Sequence, residues 1–310
     1  MKKKILICTD LDRTLIPNGA EPESPCAPEL FRHLVQQPWV TLAYVSGRDA
    51  GLVQEAIEQY GLPRPDYVIS DVGTSLYQVP ESEDKRAGGE WQRNTSWEAT
   101  ISAAWNGKSN QDIRALLQDL SDLSDLSALR LQEESRQGLY KLSYYIDFDC
   151  PAATGQDELE KKIRQRLCRA GIRANLIWSH DDIENIGLLD ILPASASKLH
   201  AIEALMEQLG FAGDDTVFCG DSGNDMEVLT SCIPAVLVAN AAPEVKRLAA
   251  EGAQRNGYAE ALYIAVGGFM DMNGNYSAGM LEGIARYHPE VRDWLAGARH
   301  AVPLPAPTII

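Results

Sequence analysis

The strongest structural signal in this chain is ILICTDLDRTL, residues 5–15. A short apolar run, typical of a buried parallel strand, ends there on two carboxylates, Asp10 and Asp12. Carboxylates are costly to place at the end of a buried strand unless a divalent cation or a cationic side chain compensates them. Ligands of open α/β sheets bind beyond the carboxyl ends of the strands, so this pair is predicted to lie where such a sheet carries its chemistry.

Two other interpretations of the Asp-x-Asp pair compete with this one. An EF-hand loop fails because a strand-like run precedes Asp10, Leu15 stands where the loop needs Gly, and no helix–loop–helix pattern surrounds it. An Asp-rich surface turn is the simpler interpretation if the pair is taken alone. The rest of the chain must therefore decide between a turn and a site.

The composition is that of a globular protein with an acidic surface. The chain has 310 residues, 45% of them hydrophobic and 23% charged, and its net charge is −16. Phosphate-rich partners reward basic surfaces, so we expect a small-molecule substrate and neither nucleic acid nor membrane as a partner. An anionic substrate would need local positive charge at its site.

Targeting and cysteine patterns favour the cytoplasm. Residues 1–4, MKKK, imitate the start of a signal peptide, but the apolar run after them is too short for one. No run approaches the roughly 18 apolar residues of a transmembrane helix. The six cysteines are scattered singly, without Cys-x-x-Cys, which favours reduced thiols over a zinc site or a disulfide framework.

Apolar runs recur along the chain, each followed by a polar turn and a helical pattern. Two of them lie at residues 40–45 and 67–70, and two more at 216–219 and 235–240. This alternation is typical of a parallel sheet with crossover helices. We therefore predict an α/β fold with a doubly wound, mostly parallel, Rossmann-like sheet.

The middle of the chain has a different character. A polar, glycine-rich stretch at 80–95 is a plausible boundary, and a helical region running from Trp97 toward Leu126 opens a smaller α+β unit. The sheet pattern resumes near residue 190. We predict three parts: a catalytic core of 1–80 and 190–300, an inserted cap of 81–189 and a flexible tail of 301–310.

Polar clusters follow three of the predicted strands, at Asp10/Asp12, at Ser46 and at Asp221/Asp225. Lys198 begins the helix before the last of them. Together these groups suit phosphoryl transfer, in which a carboxylate attacks phosphorus, Mg²⁺ neutralises repulsion, and a hydroxyl and a lysine hold the phosphate.

Each cluster has an ordinary structural interpretation if it is taken alone. Ser46 is a typical helix cap, Lys198 a typical solvated helix residue, and residues 220–225 a typical capped turn. Their conjunction, in order and mostly at strand ends, favours a single site.

The chain resembles the haloacid dehalogenase-like phosphatases, whose four motifs are matched by Asp10-Leu11-Asp12-Arg13-Thr14, Ser46, Lys198 and Gly220-Asp221-x-x-Asn224-Asp225. The long interval between Ser46 and Lys198 is similar to the subgroup with a large inserted α/β cap. Within it, the chain resembles the sucrose-phosphate phosphatases and their bacterial relatives. That likeness rests on four further stretches, at residues 65–74, 140–144, 189–193 and 279–284.

The resemblance implies that Asp10 is the nucleophile and Asp12 the general acid and base. It implies that Mg²⁺ is bound by Asp10, the main-chain carbonyl of Asp12, Asp221 and Asp225. It implies that phosphate is held by Ser46, Gly47, Lys198 and Asn224. One departure is that the family often has glycines beside the lysine, whereas here the stretch is Ser195-Ala196-Ser197-Lys198-Leu199.

Substrate selection is expected in the inserted cap, where Lys141, Ser143, Tyr145 and His180 lie in strand-like runs and offer groups that could bind a sugar. The alternative is that the aromatic residues pack a core and that His180 is structural. Arg48, beside Ser46, either contacts substrate or pairs with a core carboxylate.

The resemblance implies Mg²⁺-dependent hydrolysis of a sugar phosphate monoester through an aspartyl-phosphate, with sucrose 6-phosphate as the first candidate. Mannosylglycerate-type and mannosylfructose-type phosphates are alternatives, as is a phosphomutase on the same scaffold. A non-catalytic sugar-phosphate sensor is a weaker alternative, because all four carboxylates are present. A glycosyltransferase upstream in the same pathway is the expected partner.

Overall fold

The computed structural model describes residues 3–80, 90–118, 129–146, 156–181 and 186–298. The predicted tail at 301–310 lies outside them. Within these ranges the chain forms two sheets, one of eight strands and one of four. No helix of the described part of the chain combines the length and the apolar composition that crossing a bilayer requires.

The larger sheet holds its N-terminal strand near the centre, in the order β12-β11-β10-β1-β2-β3-β4-β5. Its strands are β1 (Ile5–Thr9), β2 (Val40–Val45), β3 (Tyr67–Ser70), β4 (Ser75–Gln78), β5 (Gln92–Arg93), β10 (Thr216–Gly220), β11 (Ala235–Leu237) and β12 (Leu262–Ile264). The six strands from β12 to β3 pair in parallel, and only β4 and β5 pair antiparallel. The predicted mostly parallel sheet is confirmed.

Helices cover both faces of this sheet. They are α1 (Ala27–Val35), α2 (Ala50–Gln59), α3 (Thr95–Ser102), α6 (Lys198–Leu209), α7 (Met226–Leu229), α8 (Pro243–Asn256), α9 (Ser277–Tyr287) and α10 (Pro289–Ala298). Ile5 and Ile7 of β1 pack into the cluster that contains α1, α9 and α10, whereas Leu6 and Cys8 pack into the one that contains α6 and α7. Because successive side chains of a strand point to opposite faces, β1 is apolar throughout and both faces are buried. The doubly wound class is confirmed.

The smaller sheet is antiparallel, in the order β6-β7-β9-β8. Its strands are β6 (Leu129–Leu131), β7 (Leu142–Ile146), β8 (Ala174–Asp181) and β9 (Ile186–Pro193). Two helices, α4 (Asn110–Gln118) and α5 (Gln156–Arg169), cover one face through Ile113 and Ile163. On the other face Ile177 packs against the core of the larger sheet. The smaller sheet is thus seated on the larger one.

The chain remains part of the larger sheet beyond residue 80, near which the boundary of the inserted unit was expected. β5 pairs with β4, and Trp97 of α3 packs into the core of the larger sheet. The helical region expected from Trp97 toward Leu126 is interrupted, since Asn106 and Gly107 have φ values of 54° and 72° before α4 begins. The division into a catalytic core and a cap stays a prediction.

The turn between β3 and β4 has a backbone conformation that residues other than glycine rarely adopt. Asp71, Val72 and Gly73 follow β3 with φ values of 52°, 58° and 98°. A Cβ atom on Gly73 would lie 2.2 Å from the carbonyl oxygen of Ser197, which is backbone and cannot give way cheaply. Glycine is therefore required here both by conformation and by space.

Replacement of Gly73 by Ala is expected to lower the free energy of unfolding by roughly 3–5 kcal/mol, because left-handed strain and overpacking add. Chemical denaturation measures this loss. Gly61→Ala is the matched control: Gly61 has φ +57° with nothing within 4 Å of its added Cβ, so only strain of roughly 1–2 kcal/mol is expected. Equal losses in the two variants would contradict the close contact with Ser197.

Candidate active site

The carboxyl ends of three adjacent strands carry the predicted site. β10, β1 and β2 lie side by side, and Asp221, Asp10 and Ser46 directly follow them. These side chains are buried, with 4%, 5% and 1% of their residue surface exposed. Parallel strands end at the same edge of a sheet, so residues far apart in sequence are brought to one place.

Three carboxylates converge at this edge. Oxygens of Asp10, Asp221 and Asp225 lie within 4.8 Å of one another, and all three residues are buried. Asp225 is held by two main-chain N–H groups, since those of Asp221 and Ser222 both donate to its Oδ2 at 3.1 Å. Hydrogen bonds of this kind fix the direction of the carboxylate.

Asp10, Asp221 and Asp225 form a buried acidic trio whose carboxylates repel one another when ionised. Burial, reinforced by the charge of Asp225, raises the pKa of Asp221 to about 7. A divalent cation would relieve that repulsion, and oxygen atoms are the ligands that Mg²⁺ and Ca²⁺ prefer. Asp10, Asp221 and Asp225 could therefore hold a metal ion, with the donor set that such an ion needs.

Lys198 supplies the positive charge beside the trio. Its Nζ donates to Oδ1 of Asp10 and Oδ1 of Asp225, both at 2.7 Å, and to Oδ1 of Asn224 at 3.1 Å. The side chain is buried at the start of α6, where the hydroxyl of Ser197 caps the helix. Burial opposes the charge, but the surrounding carboxylates raise the pKa of Lys198 above its ordinary value. Lys198 therefore places a cation beside Asp10.

Asp12 is clamped on the other side of the site. The Arg48 guanidinium donates to both carboxylate oxygens, at 2.8 Å and 2.6 Å, and the Asn18 amide donates at 2.8 Å. Although burial works in the opposite direction, these bonds lower the pKa of the Asp12 carboxyl. Of the two alternatives for Arg48, the structure shows a pair with a carboxylate, that of the partly exposed Asp12.

The turn after β2 lies next to the turn after β10. The Ser46 hydroxyl accepts from the Arg48 N–H at 3.1 Å, and a Cβ on Gly47 would lie 4.0 Å from Nδ2 of Asn224. The structure thus places Ser46, Gly47 and Asn224 around one space, close to Lys198.

Most of the residues proposed to bind the sugar are engaged within the protein. Ser143 donates to the carboxylate of Asp190 on β9, and the Tyr145 hydroxyl donates to Glu133 at 2.8 Å. The His180 side chain lies outside the described residues, although its backbone belongs to β8. Neither Ser143 nor Tyr145 is brought to the acidic trio by a described contact, whereas the strand β8, to which His180 belongs, lies against the Gly223–Asp225 turn.

Lys141 behaves differently, because it reaches the larger sheet. It is 4% exposed, and its Nζ donates to Oδ1 of Asp71 at 2.9 Å and to the Gly47 carbonyl at 3.2 Å. The sequence interpretation gave no role to Asn18, Asp71 or Asp190, although Asp71 and Asp190 lie in the stretches 65–74 and 189–193 that carry the family resemblance. For Asp71 a signal existed, since it follows a predicted strand as Asp10 and Ser46 do.

Comparison with known proteins decides the family. The family model for sucrose-6F-phosphate phosphohydrolase matches residues 3–288. The chain belongs to this family. Members are phosphoric monoester hydrolases of the haloacid dehalogenase type, and the interpretation of the chain as such an enzyme is confirmed.

Curated relatives of this chain match most of its length. A HAD-like hydrolase of Nitrosococcus oceani is 46% identical over 299 residues, which is 96% of this chain and 76% of that protein. Mannosylfructose-phosphate phosphatase of Agrobacterium fabrum is 29% identical, covering 80% of this chain and 88% of that protein. Sucrose-phosphatase 2 of Nicotiana tabacum is 28% identical over 82% of this chain, which spans only 54% of the tobacco protein.

Solved structures agree with the family assignment. The sucrose-phosphatase of Synechocystis, crystallised with sucrose and phosphate, has 25% identity and a TM-score of 0.68, covering 92% of this chain and 98% of that one. A haloacid dehalogenase-like hydrolase of Bacillus subtilis, at 18% identity and a TM-score of 0.57 over 92% of both chains, shares the fold.

Proposed function

We propose that this chain hydrolyses a sugar phosphate monoester with Mg²⁺ through an aspartyl-phosphate on Asp10, and that sucrose 6-phosphate is its substrate. The observation that carries the proposal is the buried Asp10 carboxylate, held by Lys198 at 2.7 Å and converging with Asp221 and Asp225. A carboxylate in that setting is a positioned nucleophile beside a candidate cation site.

In the first step, a carboxylate oxygen of Asp10 attacks phosphorus and the sugar oxygen leaves. Lys198 keeps Asp10 in one orientation through its bond to Oδ1. Ser46, Gly47, Lys198 and Asn224 are proposed to bind the phosphoryl oxygens, on which charge spreads in the transition state. Mg²⁺, held by Asp10, Asp221, Asp225 and the main-chain carbonyl of Asp12, would neutralise the repulsion between carboxylate and phosphate.

Asp12 is proposed to move the protons. It donates one to the departing sugar oxygen and later accepts one from the water that hydrolyses the aspartyl-phosphate. Because the bonds from Arg48 and Asn18 lower the pKa of Asp12, Asp12 must first take up a proton, from the phosphate monoanion of the substrate or from solvent, and those bonds must loosen for it to do so. Arg48 is thus proposed to act on Asp12 rather than on the sugar.

The smaller sheet, together with the helices that cover it, is proposed as the cap that selects the sugar. Its strand β8 lies against the Gly223–Asp225 turn, so it adjoins the proposed phosphate site. Closure of such a unit excludes water from the reacting groups. Mannosylfructose phosphate is the second candidate substrate, because the Agrobacterium phosphatase named for it is related over 88% of its own length.

A panel of sugar phosphates tests this function. We expect Mg²⁺-dependent phosphate release that EDTA abolishes and added Mg²⁺ restores, with kcat/KM for sucrose 6-phosphate at least about tenfold above those for mannosylfructose, mannosylglycerate and simple hexose phosphates. A different substrate at the top of the ranking would correct the substrate alone. Isomerised sugar phosphate without free phosphate would indicate a phosphomutase, and a folded protein inert toward every phosphoester would contradict the proposal.

A further inference from the structure

The phosphate turn, residues 46–48, is proposed to bind phosphate, and all three of its main-chain carbonyl groups accept hydrogen bonds. The Ser46 carbonyl accepts from the Val72 N–H at 3.1 Å, and the Arg48 carbonyl accepts from the Asp71 N–H at 2.9 Å. Between them, the Gly47 carbonyl accepts from Nζ of Lys141 at 3.2 Å. Asp71 and Val72 themselves lie in a turn with left-handed φ values of 52° and 58°.

Lys141 belongs to the smaller sheet region, so one of these three bonds crosses between the two sheets. The crossing is completed by the ion pair of Lys141 with Asp71 at 2.9 Å, whose side chains are only 5% and 8% exposed. Although burial opposes the charge, the neighbouring carboxylates of Asp71 and Asp190 raise the pKa of Lys141. A buried ion pair contributes little net stability, but it penalises any arrangement that separates the partners without hydrating them. The Lys141–Asp71 pair therefore fixes the position of the smaller sheet relative to the larger one, and it adds little to the free energy of unfolding.

Both chain connections between the sheets also touch this turn. The first connection, from the larger sheet to the smaller one, includes α3. There the indole Nε1 of Trp97 donates to the Gly73 carbonyl at 3.0 Å. The second connection, from β9 back to α6, passes Gly73 closely. A Cβ atom on Gly73 would collide with the backbone of Ser197, the residue before Lys198. Residues 71–73 thus contact the phosphate turn, the helix that carries Lys198 and both connections.

We propose that Asp71 is a positioning residue that docks the smaller sheet through Lys141 and so holds Ser46, Gly47 and Arg48 in the shape that receives phosphate. The inference rests on the proposed phosphatase function for its kinetic consequence, but not for its structural one. It assigns Lys141 to docking rather than to a sugar hydroxyl. The two roles differ in what they predict for a phosphoester that has no sugar.

Four proteins test the proposal: the unaltered chain, Asp71→Asn, Lys141→Met and the double variant. Each single variant leaves one buried charge unpaired, whereas the double variant leaves none. We expect faster amide hydrogen exchange at residues 46–48 in both single variants and a partial return toward the unaltered rates in the double variant. With Mg²⁺ present, kcat/KM should fall about tenfold in each single variant, and no further in the double one.

Two substrates separate docking from sugar recognition. If Lys141 docks the smaller sheet, kcat/KM of each single variant should fall by the same factor for sucrose 6-phosphate and for p-nitrophenyl phosphate, because the phosphate turn binds both substrates. Losses confined to sucrose 6-phosphate, with additive effects and unchanged exchange at residues 46–48, would overturn the proposal and make Lys141 a sugar ligand. Glu160→Gln, which breaks the exposed pair with Arg164 on α5, is the control and should change neither readout.

The exchange measurement does not depend on turnover. If the unaltered chain hydrolyses no phosphoester, coupled exchange changes in Asp71→Asn and Lys141→Met would still support docking, and their absence would overturn it. If Lys141→Met does not fold, Asp71→Asn decides by exchange alone, since it is isosteric and keeps the main-chain bonds of residue 71.

Discussion

Replacement of Asp10 by Asn is expected to lower kcat for phosphate release on the order of 10⁴-fold or more, while the fold is retained. The amide keeps the shape of the side chain and can still accept from Lys198, but it is not a nucleophile toward phosphorus. The buried acidic trio also loses one of its three carboxyl groups, which relieves repulsion among Asp10, Asp221 and Asp225. The loss should therefore be catalytic, without a large fall in the free energy of unfolding.

Acid-quenched enzyme gives a second readout of the same prediction. The unaltered chain should retain labelled phosphate after mixing with labelled substrate, and Asp10→Asn should retain none. Asp214→Asn is the matched control, since Asp214 is an exposed carboxylate beside β10, at the end of the sheet opposite to the site. Residual activity within tenfold of the unaltered enzyme would mean that another group is the nucleophile.

Replacement of Lys198 by Met is expected to have the second largest effect, on both activity and stability. Loss of a buried cation that binds transition-state charge should lower kcat/KM about 10²–10³-fold. Without Lys198, Asp10 and Asp225 lose their 2.7 Å partner, and an uncompensated buried charge costs roughly 3–5 kcal/mol. In metal-free buffer the variant should therefore unfold at lower denaturant concentration.

Added Mg²⁺ distinguishes this explanation from simple damage to the core. If the trio holds the cation, Mg²⁺ should raise the Tm of Lys198→Met by more than it raises the Tm of the unaltered chain, because more repulsion is relieved. Lys161→Met, at an exposed position of α5, removes a lysine without touching the site and should show neither effect. A Tm of Lys198→Met that is insensitive to Mg²⁺ would argue against a cation site at Asp10, Asp221 and Asp225.

The pattern of neighbouring residues was sufficient to predict the doubly wound, mostly parallel sheet. The apolar run of β1 is buried on both faces, and such a run followed by polar residues is readable without any long-range information. α10 was not predicted; Pro289 begins this helix, and the buried Val291 and Leu295 anchor it. The break at Asn106 and Gly107 was also missed, although Asn-Gly is a turn signal that the sequence carries.

Pairing of the charged groups could not be predicted in the same way. Arg48 lies two residues from Ser46, and the sequence left open whether it contacts substrate or a carboxylate. Its two bonds to Asp12 depend on how the turns after β1 and β2 face each other. Lys141 was predicted to contact a sugar, and its burial against Asp71 depends on how the two sheets are seated. Neither distance is encoded in local spacing.

The amino-acid sequence by itself determined which residues stand at strand ends, because strand and turn propensities act over a few neighbouring residues. Asp10, Ser46 and Asp221 were therefore identifiable as one candidate site before any coordinate was known. Only the tertiary structure decided how the charges are shared: Lys198 between Asp10 and Asp225, Arg48 on Asp12, and Lys141 on Asp71. Those pairings depend on burial and on distances between distant segments, which are set when the sheets and helices pack together.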